Sequence, residues 1–350
     1  MGDEPRPDWL TAAWASDVLG AEVASLWTNR IGDGLVGMNL RVVVEYVDPR
    51  AAGPRSVVVK LPSPDPTSRA TGIALRNYER EVHFYRDVAG TVDIRVAECH
   101  HAQWSAETGD FVLVLEDLAP GVQGDQVAGC TIEQARTAVL ELARLHGPRW
   151  DDPSLHDLEW LSRRTGPDDG AMLGAMWSMV LPGFLSTFAK HLSAEAIELI
   201  ETFGSRVAEW VDGRDGPMTV THGDYRLDNL MFASPDGGYP VAAVDWQTPG
   251  HGPPLGDVSY FLGAGLLPDQ RREVECRLLD EYAEALTAYG VDLDREWLWH
   301  HYRRDAFAGV VMAVIASQIV GASGRSEAMF AAMASRHAQH ALDLESLTLV

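Results

Sequence analysis

The pattern of hydrophobic positions changes character along this chain of 350 residues. Residues 9–28 carry apolar side chains at helical spacing, which predicts an N-terminal helix. A glycine-punctuated stretch follows at 31–39. Apolar runs then predict strands at 40–47 and 56–62, the second stopped by its final proline. The proline- and glycine-containing loop between these two runs favours an antiparallel pair.

A helix and a second pair of strands complete the first part of the chain. Helical spacing returns around residues 73–88, and apolar runs at 96–104 and 111–115 flank the turn-forming sequence SAETGD. The predicted order is strand, strand, helix, strand, strand. This order predicts a small α+β unit.

Helical periodicity dominates the chain from Thr131 onwards. Thr131 is a candidate N-cap for a helix that stops at Gly147. Residues 171–212 and 268–346 have a similar pattern, and the β-like segment 218–244 lies between them. A boundary after the LVLEDL stretch gives two predicted domains, residues 1–118 with the helical extension 9–28, and residues 119–350.

The charge balance is strongly acidic and limits the possible partners. The chain has 28 basic and 51 acidic residues, a formal net charge of −23. Such a field repels nucleic acid and anionic membranes, so we expect neither as a partner. The N-terminal sequence MGDEPRPDWL lacks the apolar core of a signal peptide, and the apolar run 306–322 is interrupted by Ser317 and Gln318, which predicts a buried helix. Three scattered cysteines fit a reducing compartment, so we expect a cytoplasmic protein.

Lysine is scarce in this sequence. Only Lys60 and Lys190 are lysines among the 28 basic residues, and the others are arginines. A coding bias accounts for the replacement of surface lysines. A lysine that persists against such a bias is a candidate for chemistry that arginine cannot perform.

The densest group of polar residues lies in THGDYRLDNLMF at 221–232, followed by VAAVDWQ at 241–247. Asp224, Asn229 and Asp245 offer hard oxygen ligands, and Asp245 ends an apolar strand. Magnesium in proteins is held by one or two carboxylates together with substrate phosphates, and a remaining carboxylate can accept a proton from an attacking hydroxyl. A simple polar turn is the alternative for each residue alone. A metallophosphatase site is disfavoured because the chain has neither of the other motifs, DxH and GNH[DE], that such a site needs.

The motif HGDxxxxN, followed by an apolar strand that ends in Asp, resembles the aminoglycoside phosphotransferase and choline kinase superfamily. The segments EREVHFY, LVLEDL and HGDYRLDNLMF are most similar to its ecdysteroid kinase-like branch. The resemblance implies an α+β, two-lobed, protein-kinase-like fold, with a small antiparallel-sheet N-lobe and a large, mainly helical C-lobe. It also implies that Asp224 is the catalytic base, that Asn229 and Asp245 hold Mg²⁺, and that His222 supports the catalytic loop.

The same resemblance requires nucleotide-binding residues upstream. Gly34, between Gly32 and Gly37, would belong to the glycine turn, although glycines also punctuate ordinary hairpins. Lys60 would reach the α- and β-phosphates of ATP and pair with a helix carboxylate. Glu81 matches the family position for that carboxylate better than Glu79, which we expect at the surface.

The segment LVLEDLAPG resembles the hinge of the family. Its backbone groups near Glu116 and Leu118 would bind the adenine edge, whereas a helix-capping turn is the alternative for Glu116 and Asp117. Asp257 resembles a family aspartate behind the catalytic loop, and an ordinary N-cap is an equal alternative.

The expected function is transfer of the γ-phosphoryl group of ATP to a hydroxyl of a small molecule. The predicted acceptor is a bulky, mostly apolar alcohol, because the helical segments 151–212 and 268–346 are rich in large apolar residues. A polycationic substrate would instead need a dense acidic rim, for which only the short acidic runs at 151–152 and 168–169 are obvious candidates. The large apolar candidates are Trp160, Met172, Met176, Trp177, Met179, Phe184, Phe188, Trp297, Trp299 and Met312.

Three alternatives remain open. The chain could act on an aminoglycoside or other antibiotic, or on a choline-like alcohol. It could be a nucleotide-binding pseudokinase regulator, which is disfavoured because the base, lysine and metal ligands are all present. It could phosphorylate protein side chains, which is disfavoured because no activation segment is evident between Asp245 and Asp257.

Overall fold

The apolar runs of the N-terminal part form one antiparallel sheet of five strands, in the spatial order β1-β2-β3-β5-β4. The computed structural model describes residues 6–32, 36–163, 168–319 and 324–350. The predicted strand pairs at 40–47 with 56–62 and at 96–104 with 111–115 are confirmed in type and direction. The strands are β1 (Val23–Ile31), β2 (Gly37–Tyr46), β3 (Ser56–Pro62), β4 (Cys99–Trp104) and β5 (Phe111–Glu116).

The prediction of one helix over residues 9–28 is wrong for its second half. Helix α1 (Ala12–Leu19) begins after Thr11, whose hydroxyl accepts a hydrogen bond from the backbone of Trp14, and ends at Gly20, which has a φ of 68°. Glycine adopts this left-handed conformation without strain, so the helix stops there. The residues beyond it form β1, which pairs with β2 over Val23–Ile31.

The helix predicted around 73–88 is interrupted. Helix α2 (Pro66–Ala74) and helix α3 (Asn77–His83) are separated by Arg76, which has a φ of 58°. A single π-helical turn, Phe84–Val88, continues from α3. A non-glycine residue in the left-handed region breaks helical hydrogen bonding, and helical periodicity alone does not reveal such a break.

Alternation along β3 sends neighbouring side chains to opposite faces of the sheet. Val57, Val59 and Leu61 are buried in the core that this sheet forms with α1. Each buried aliphatic side chain of this size contributes about 1.5–3 kcal/mol to folding. Because the side-chain period of a strand is two, Lys60 lies on the face opposite this core. It pairs in register with Asn39 of β2 and Leu113 of β5, so it is held by the centre of the sheet.

Two compact units make up the described chain. The first contains the described residues within Met1–Gly90, together with Val96–Ala119 and Asp245–Gln247. The second contains Thr91–Arg95, Pro120–Val244 and Thr248–Val350. The five-stranded sheet belongs to the first unit, and the catalytic-loop sequence 221–232 belongs to the second.

The second unit is mainly helical and also holds two small sheets, with the strand orders β10-β9-β6 and β7-β11-β8. The strands are β6 (Val122–Gln123), β7 (Ser162–Arg163), β8 (Thr219–Thr221), β9 (Leu230–Ser234), β10 (Gly237–Ala243) and β11 (Gly250–Gly252). The helices are α4 (Ile132–His146), α5 (Asp169–Phe188), α6 (Ala194–Gly204), α7 (Val207–Asp212), α8 (Pro254–Gly265), α9 (Pro268–Leu286), α10 (Arg295–Arg304), α11 (Phe307–Ile319) and α12 (Arg325–Asp343).

Two helices of this unit are strongly apolar but differ in burial. The buried helix predicted over 306–322 is α11, and residues 320–322 of that prediction lie outside the described part of the chain. Helix α5 continues into a helical stretch, 169–191, that is long and apolar enough to cross a membrane by length and composition alone. Only 17% of its apolar window is buried, so much of α5 presents apolar side chains at the surface.

Candidate active site

Lys60 is the centre of a buried ion cluster in the first unit. Its Nζ lies 2.5 Å from Glu81 Oε1 and 3.0 Å from Asp245 Oδ1. Glu81 is on α3 and fully buried, while the Lys60 side chain is 9% exposed. The structure thus brings together three residues that are far apart in the sequence and that the resemblance singled out. Their role in nucleotide binding stays a prediction.

The two carboxylates keep Lys60 charged. Burial by itself lowers the pKa of the Lys60 ammonium, but the negative charges of Asp245 and Glu81 outweigh burial and raise that pKa above its ordinary value. Asp245 has a φ of 67°, an uncommon conformation for a residue other than glycine. Backbone in this region is costly and persists where the surrounding structure holds it.

An aromatic stack anchors the residue that follows Asp245. The Trp246 ring lies parallel to Phe84, with ring centroids 3.8 Å apart, and both side chains are fully buried. Phe84 directly follows α3, which carries Glu81. The stack and the ion cluster therefore join the same two segments of the first unit. Glu79, the other candidate for pairing with Lys60, instead bonds Arg76 at 2.7 Å.

The glycine turn and the hinge give less information about nucleotide binding. Gly34 lies outside the described residues. Glu116 ends β5, and its backbone N–H donates to the Glu98 carbonyl at 2.8 Å. Asp117 accepts hydrogen bonds from Ser56 and Arg41 at 2.6 and 3.0 Å, and Leu118 is buried. The Asp117 side chain is therefore part of the sheet framework, and adenine binding by the backbone at 116–118 stays a prediction.

In the second unit, Asp224 emerges from the loop after β8 with its carboxylate held by three donors. Gly223 turns the chain with a φ of 77°, a conformation that suits glycine. Asn229 Nδ2 donates to Asp224 Oδ2 at 2.9 Å, and Arg226 Nε lies 3.1 and 3.2 Å from the two carboxylate oxygens. Tyr260 of α8 donates to Oδ1 at 2.7 Å. The orientation of the Asp224 carboxylate is thus fixed by residues of its own unit.

Arg226 links Asp224 to a second aspartate. Its Nη1 lies 2.7 Å from Asp228 Oδ2, and Arg325 at the start of α12 donates to the same carboxylate at 2.9 Å. Burial lowers the pKa of the Arg226 guanidinium, but the charge of Asp224 and then that of Asp228 outweigh burial and raise it. Asp228, whose side chain is 6% exposed, is therefore a structural partner of the two arginines, whereas the Asp224 side chain is 22% exposed. The role of Asp224 as the catalytic base stays a prediction.

His222 is buried behind the loop, and its two ring nitrogens have different roles. Nε2 lies 3.1 Å from the Val244 carbonyl, an acceptor, so this nitrogen carries the proton. Nδ1 then accepts from the Asp224 backbone N–H at 3.3 Å. This geometry fits the supporting role that the resemblance implied for His222, and a direct part in proton transfer stays a prediction.

Asp257 holds the same loop from the opposite side. Its carboxylate accepts the backbone N–H groups of His222 and Gly223 at 2.6 and 3.0 Å, and His146 Nε2 lies 3.5 Å away. The N-cap of α8 is Pro253, so Asp257 does not cap its own helix. Burial raises the pKa of the Asp257 carboxyl, but the hydrogen bond and charge of His146, together with His222, outweigh burial and lower it.

We expect Asp257→Asn to lower the free energy of unfolding by about 1–3 kcal/mol near neutral pH, because its amide cannot accept both loop N–H groups and leaves a buried donor unpaired. A carboxyl whose pKa is lower in the folded than in the unfolded state stabilises the protein at pH values above its unfolded-state pKa, which is about 4. This stabilisation is lost as the pH falls through the folded-state pKa. The difference between wild type and variant should therefore shrink below about pH 4. Urea unfolding measured from pH 7 to pH 3 tests this.

The matched control is Asp269→Asn, at an almost fully exposed aspartate on α9 that pairs with Arg272. It should leave the stability unchanged across the same pH range. A variant at 257 that is as stable as wild type at pH 7 would show that the two loop N–H groups do not depend on the carboxylate.

Asn229 of the second unit and Asp245 of the first each offer an oxygen of the kind that magnesium binds. Asn229 uses its amide nitrogen to bond the backbone and carboxylate oxygens of Asp224, both at 2.9 Å, which leaves its amide oxygen as the atom suited to a cation. Asp245 supplies a carboxylate that is about one-third exposed. One amide and one carboxylate oxygen, together with phosphate oxygens, make the hard donor set that magnesium prefers. Among the described residues, no group of three or more histidine, cysteine, aspartate or glutamate side chains is placed to hold a metal ion.

Two residues that contact Asp224 were missed from the sequence. Arg226 lies inside the motif, two residues after Asp224, so its position was a usable signal. Tyr260 lies 36 residues after Asp224, in the middle of α8, and nothing in the motif points to it.

The large apolar residues predicted to wall the acceptor pocket fall into three groups. Four are buried in or against the helical core and two are strongly exposed, Met172 at 62% and Met179 at 80%. The rest are half-buried. Three of these methionines, Met172, Met176 and Met179, lie on one helix, α5, whose residues 170–189 carry no charge. The core residues are Trp160, Trp177, Phe184 and Phe188, and the half-buried ones are Met176, Trp297, Trp299 and Met312.

Most of the chain matches a known protein family. Residues 39–300 match the family described as "Phosphotransferase enzyme family". Among curated proteins, acyl-CoA dehydrogenase family member 10 of Mus musculus is 33% identical over 91 residues, which are 25% of this chain. The matched segment covers only 8% of the length of that mouse protein.

Solved structures show the fold. A Ralstonia eutropha protein assigned as an aminoglycoside phosphotransferase superposes with a TM-score of 0.56 at 18% identity, covering 95% of this chain and 97% of that one. The macrolide 2′-phosphotransferase type I gives 0.52 at 14%, covering 92% and 97%. The GDP complex of wild-type aminoglycoside 2′-phosphotransferase-IIIa gives 0.51 at 13%, covering 84% and 87%. The predicted α+β, kinase-like fold is confirmed, while the ecdysteroid kinase-like branch stays a prediction.

Proposed function

The chain belongs to the phosphotransferase enzyme family, and from this premise we propose that it is a small-molecule kinase that transfers the γ-phosphoryl group of ATP to a hydroxyl group. The observation that carries the proposal is the Asp224 carboxylate, fixed by three donors within the motif loop and α8. A carboxylate held in one orientation can accept a hydrogen bond from an acceptor hydroxyl and direct it towards the phosphoryl group.

Lys60 supplies the fixed positive charge of the proposed mechanism. The two carboxylates beside it keep it protonated, so it can bind the α- and β-phosphates as an ammonium ion. Because Glu81 is fully buried on α3, it holds the ammonium at the end of β3 and prevents it from moving into solvent. This charge is in place before the nucleotide arrives, so little reorganisation is needed on binding.

Asp224 has the second role, which is to orient the acceptor. Its two oxygens each accept one hydrogen bond from a neutral donor, Asn229 or Tyr260, and share Arg226. A carboxylate offers about four acceptor positions, and the single Arg226 N–H is shared between two of them at 3.1 and 3.2 Å, so we propose that the acceptor hydroxyl takes one of these two shared positions. In the transition state Asp224 takes the hydroxyl proton as the new O–P bond forms and the bond from phosphorus to ADP breaks.

Magnesium, when bound, would neutralise charge on the phosphates. Asn229 and Asp245 are the residues that we propose to hold it, and the chain links them closely. The Val244 backbone N–H donates to the Asn229 carbonyl at 2.9 Å, and Asp245 is the next residue.

We further propose that the acceptor is a bulky, mostly apolar alcohol. Met172, Met176 and Met179 give α5 an apolar, adaptable surface without charge. A polycationic substrate would need several unpaired carboxylates, and Asp152 is already engaged by Arg149 at 2.5 Å and by the backbone of Ser154 at 2.9 Å. Apolar walls cannot satisfy many buried charges.

A parallel acceptor screen tests the substrate class. Purified protein is incubated with Mg-ATP and either hydrophobic polycyclic and macrocyclic alcohols or aminoglycosides such as kanamycin, and the phosphorylated products are identified by mass spectrometry. We expect phosphorylated hydrophobic alcohols at a higher rate than phosphorylated aminoglycosides. Preferential phosphorylation of an aminoglycoside would overturn the acceptor assignment but leave the kinase activity standing.

A further inference from the structure

Tyr260 is a buried residue of α8 that contacts the proposed base but belongs to no motif. Its hydroxyl donates to Asp224 Oδ1 at 2.7 Å, and the side chain is 4% exposed. Burial, and then the charge of Asp224, raise the pKa of the Tyr260 phenol well above its ordinary value. The hydroxyl is therefore a permanent donor and does not compete with Asp224 for a proton.

The ring of Tyr260 is held in place by a second buried aromatic side chain. His337 of α12 lies parallel to it, with an angle of 9° between the rings and centroids 5.2 Å apart. Burial lowers the pKa of the His337 imidazole to about 3, so the ring is neutral. Neither ring nitrogen of His337 bonds to another described residue, which is consistent with a packing role.

Two glycines make the space for this histidine. A Cβ atom at Gly309 of α11 would lie 2.0 Å from His337 Nδ1, and one at Gly263 of α8 would lie 2.7 Å from the same atom. Real Cβ atoms do not approach other atoms so closely. The absence of a side chain at these two glycines on α8 and α11 therefore leaves the space that the His337 ring occupies beside Tyr260.

From this arrangement we propose that Tyr260 is a positioning residue for phosphoryl transfer, which acts by fixing the rotation of the Asp224 carboxylate through its hydrogen bond to Oδ1. Asn229 fixes Oδ2 from the loop itself, so the two oxygens are held from opposite sides by different elements. With both oxygens fixed, the direction from which a substrate hydroxyl can approach the carboxylate is also fixed. This proposal rests on the proposed kinase function, in which Asp224 orients the acceptor hydroxyl.

Tyr260→Phe tests the proposal because it removes only the hydroxyl and keeps the ring against His337. We expect kcat for the acceptor to fall about tenfold, the loss of one hydrogen bond to a charged group, with KM for Mg-ATP within about twofold of wild type. Loss of folded protein would also lower the apparent kcat at unchanged KM, so the folded fraction of the variant is measured separately. Near-UV circular dichroism of the variant is expected to match wild type.

A matched control and a double variant complete the experiment. Tyr289→Phe removes a hydroxyl that donates to Asp93 at 2.9 Å elsewhere in the same unit, and kcat should not change. In the Asp224→Asn background, adding Tyr260→Phe should lower the residual rate by less than about twofold, because residues that act through one group are not additive.

Each outcome leads to a definite conclusion. If wild type is active and Tyr260→Phe is equally active, the role of Tyr260 is overturned and the proposed kinase function stands. The same conclusion follows if Tyr260→Phe lowers the rate by the full tenfold in the Asp224→Asn background. A variant that loses the wild-type circular dichroism spectrum would show Tyr260 to be a structural residue and would also overturn it. Wild-type protein that phosphorylates no acceptor in the screen contradicts the proposed function itself, and the positioning role then falls with it.

Discussion

Asp224→Asn should fold normally and bind Mg-ATP, yet lose phosphoryl transfer by about 10²- to 10⁴-fold, the usual effect of removing a positioned base. The amide keeps an oxygen for Tyr260 or Arg226, and Arg226 retains its ion pair with Asp228, so the loop stays anchored. What is lost is the acceptor position for the substrate hydroxyl. Steady-state kinetics with the best acceptor of the screen, and calorimetric titration with Mg-ATP, measure the two effects separately.

Asp236→Asn is the matched control for this variant. Asp236 is an exposed aspartate in the turn between β9 and β10, and its substitution should leave kcat unchanged. Turnover of Asp224→Asn within about threefold of wild type would contradict the assignment of Asp224 as the base, since positioned bases contribute far more.

Lys60→Arg should not behave as a conservative change. The ammonium fits between Glu81 at 2.5 Å and Asp245 at 3.0 Å, whereas the planar guanidinium is larger and presents its donors in a fixed fork. Displacing one charge-assisted hydrogen bond to the phosphates costs about 1.5–3 kcal/mol. That corresponds to a loss of about 10- to 100-fold in Mg-ATP affinity or turnover. Titration calorimetry and initial rates give both quantities.

The only other lysine of the chain supplies the control. Lys190 is 64% exposed and lies 3.3 Å from Glu327, a surface ion pair of the kind that contributes about 0–1 kcal/mol. Lys190→Arg should therefore match wild type in affinity, turnover and melting temperature. Equal behaviour of the two arginine variants would reject the proposed role of Lys60.

The parts of the fold that were predicted correctly are those specified by local sequence. Helix α4 begins with the capping box that Thr131 and Gln134 form, and it ends at Gly147. The strand pair β2 and β3 follows from two apolar runs separated by turn residues. In both cases the residues that decide the structure lie within a few positions of each other.

The errors arise where a distant partner or an unusual backbone angle decides the structure. The hydrophobic positions of residues 23–31 are compatible both with helical spacing and with the alternation of a strand. Pairing with β2 decides that this segment forms a strand. The break at Arg76 depends on one left-handed residue between two helices that look continuous by periodicity.

The candidate site shows the same division. His222, Asp224 and Asn229 share one short motif, so their proximity could be predicted from spacing. Lys60 and Asp245 are 185 residues apart, and only resemblance to a family related them before the structure showed their contact. Neither motif spacing nor family resemblance pointed to Tyr260, because its approach to Asp224 depends on how α8 packs against the motif loop.

The most direct test of the kinase function is a product analysis with wild-type protein. Mg-ATP and each hydroxyl compound of the screen are incubated with the full chain, and ADP and phosphate monoester are quantified in the same sample. The proposed function predicts that at least one alcohol gives a phosphate monoester in equal amount to ADP, and that Asp224→Asn forms neither. Tight Mg-ATP binding with no phosphate monoester from any hydroxyl compound would contradict it and would instead indicate a nucleotide-binding regulator.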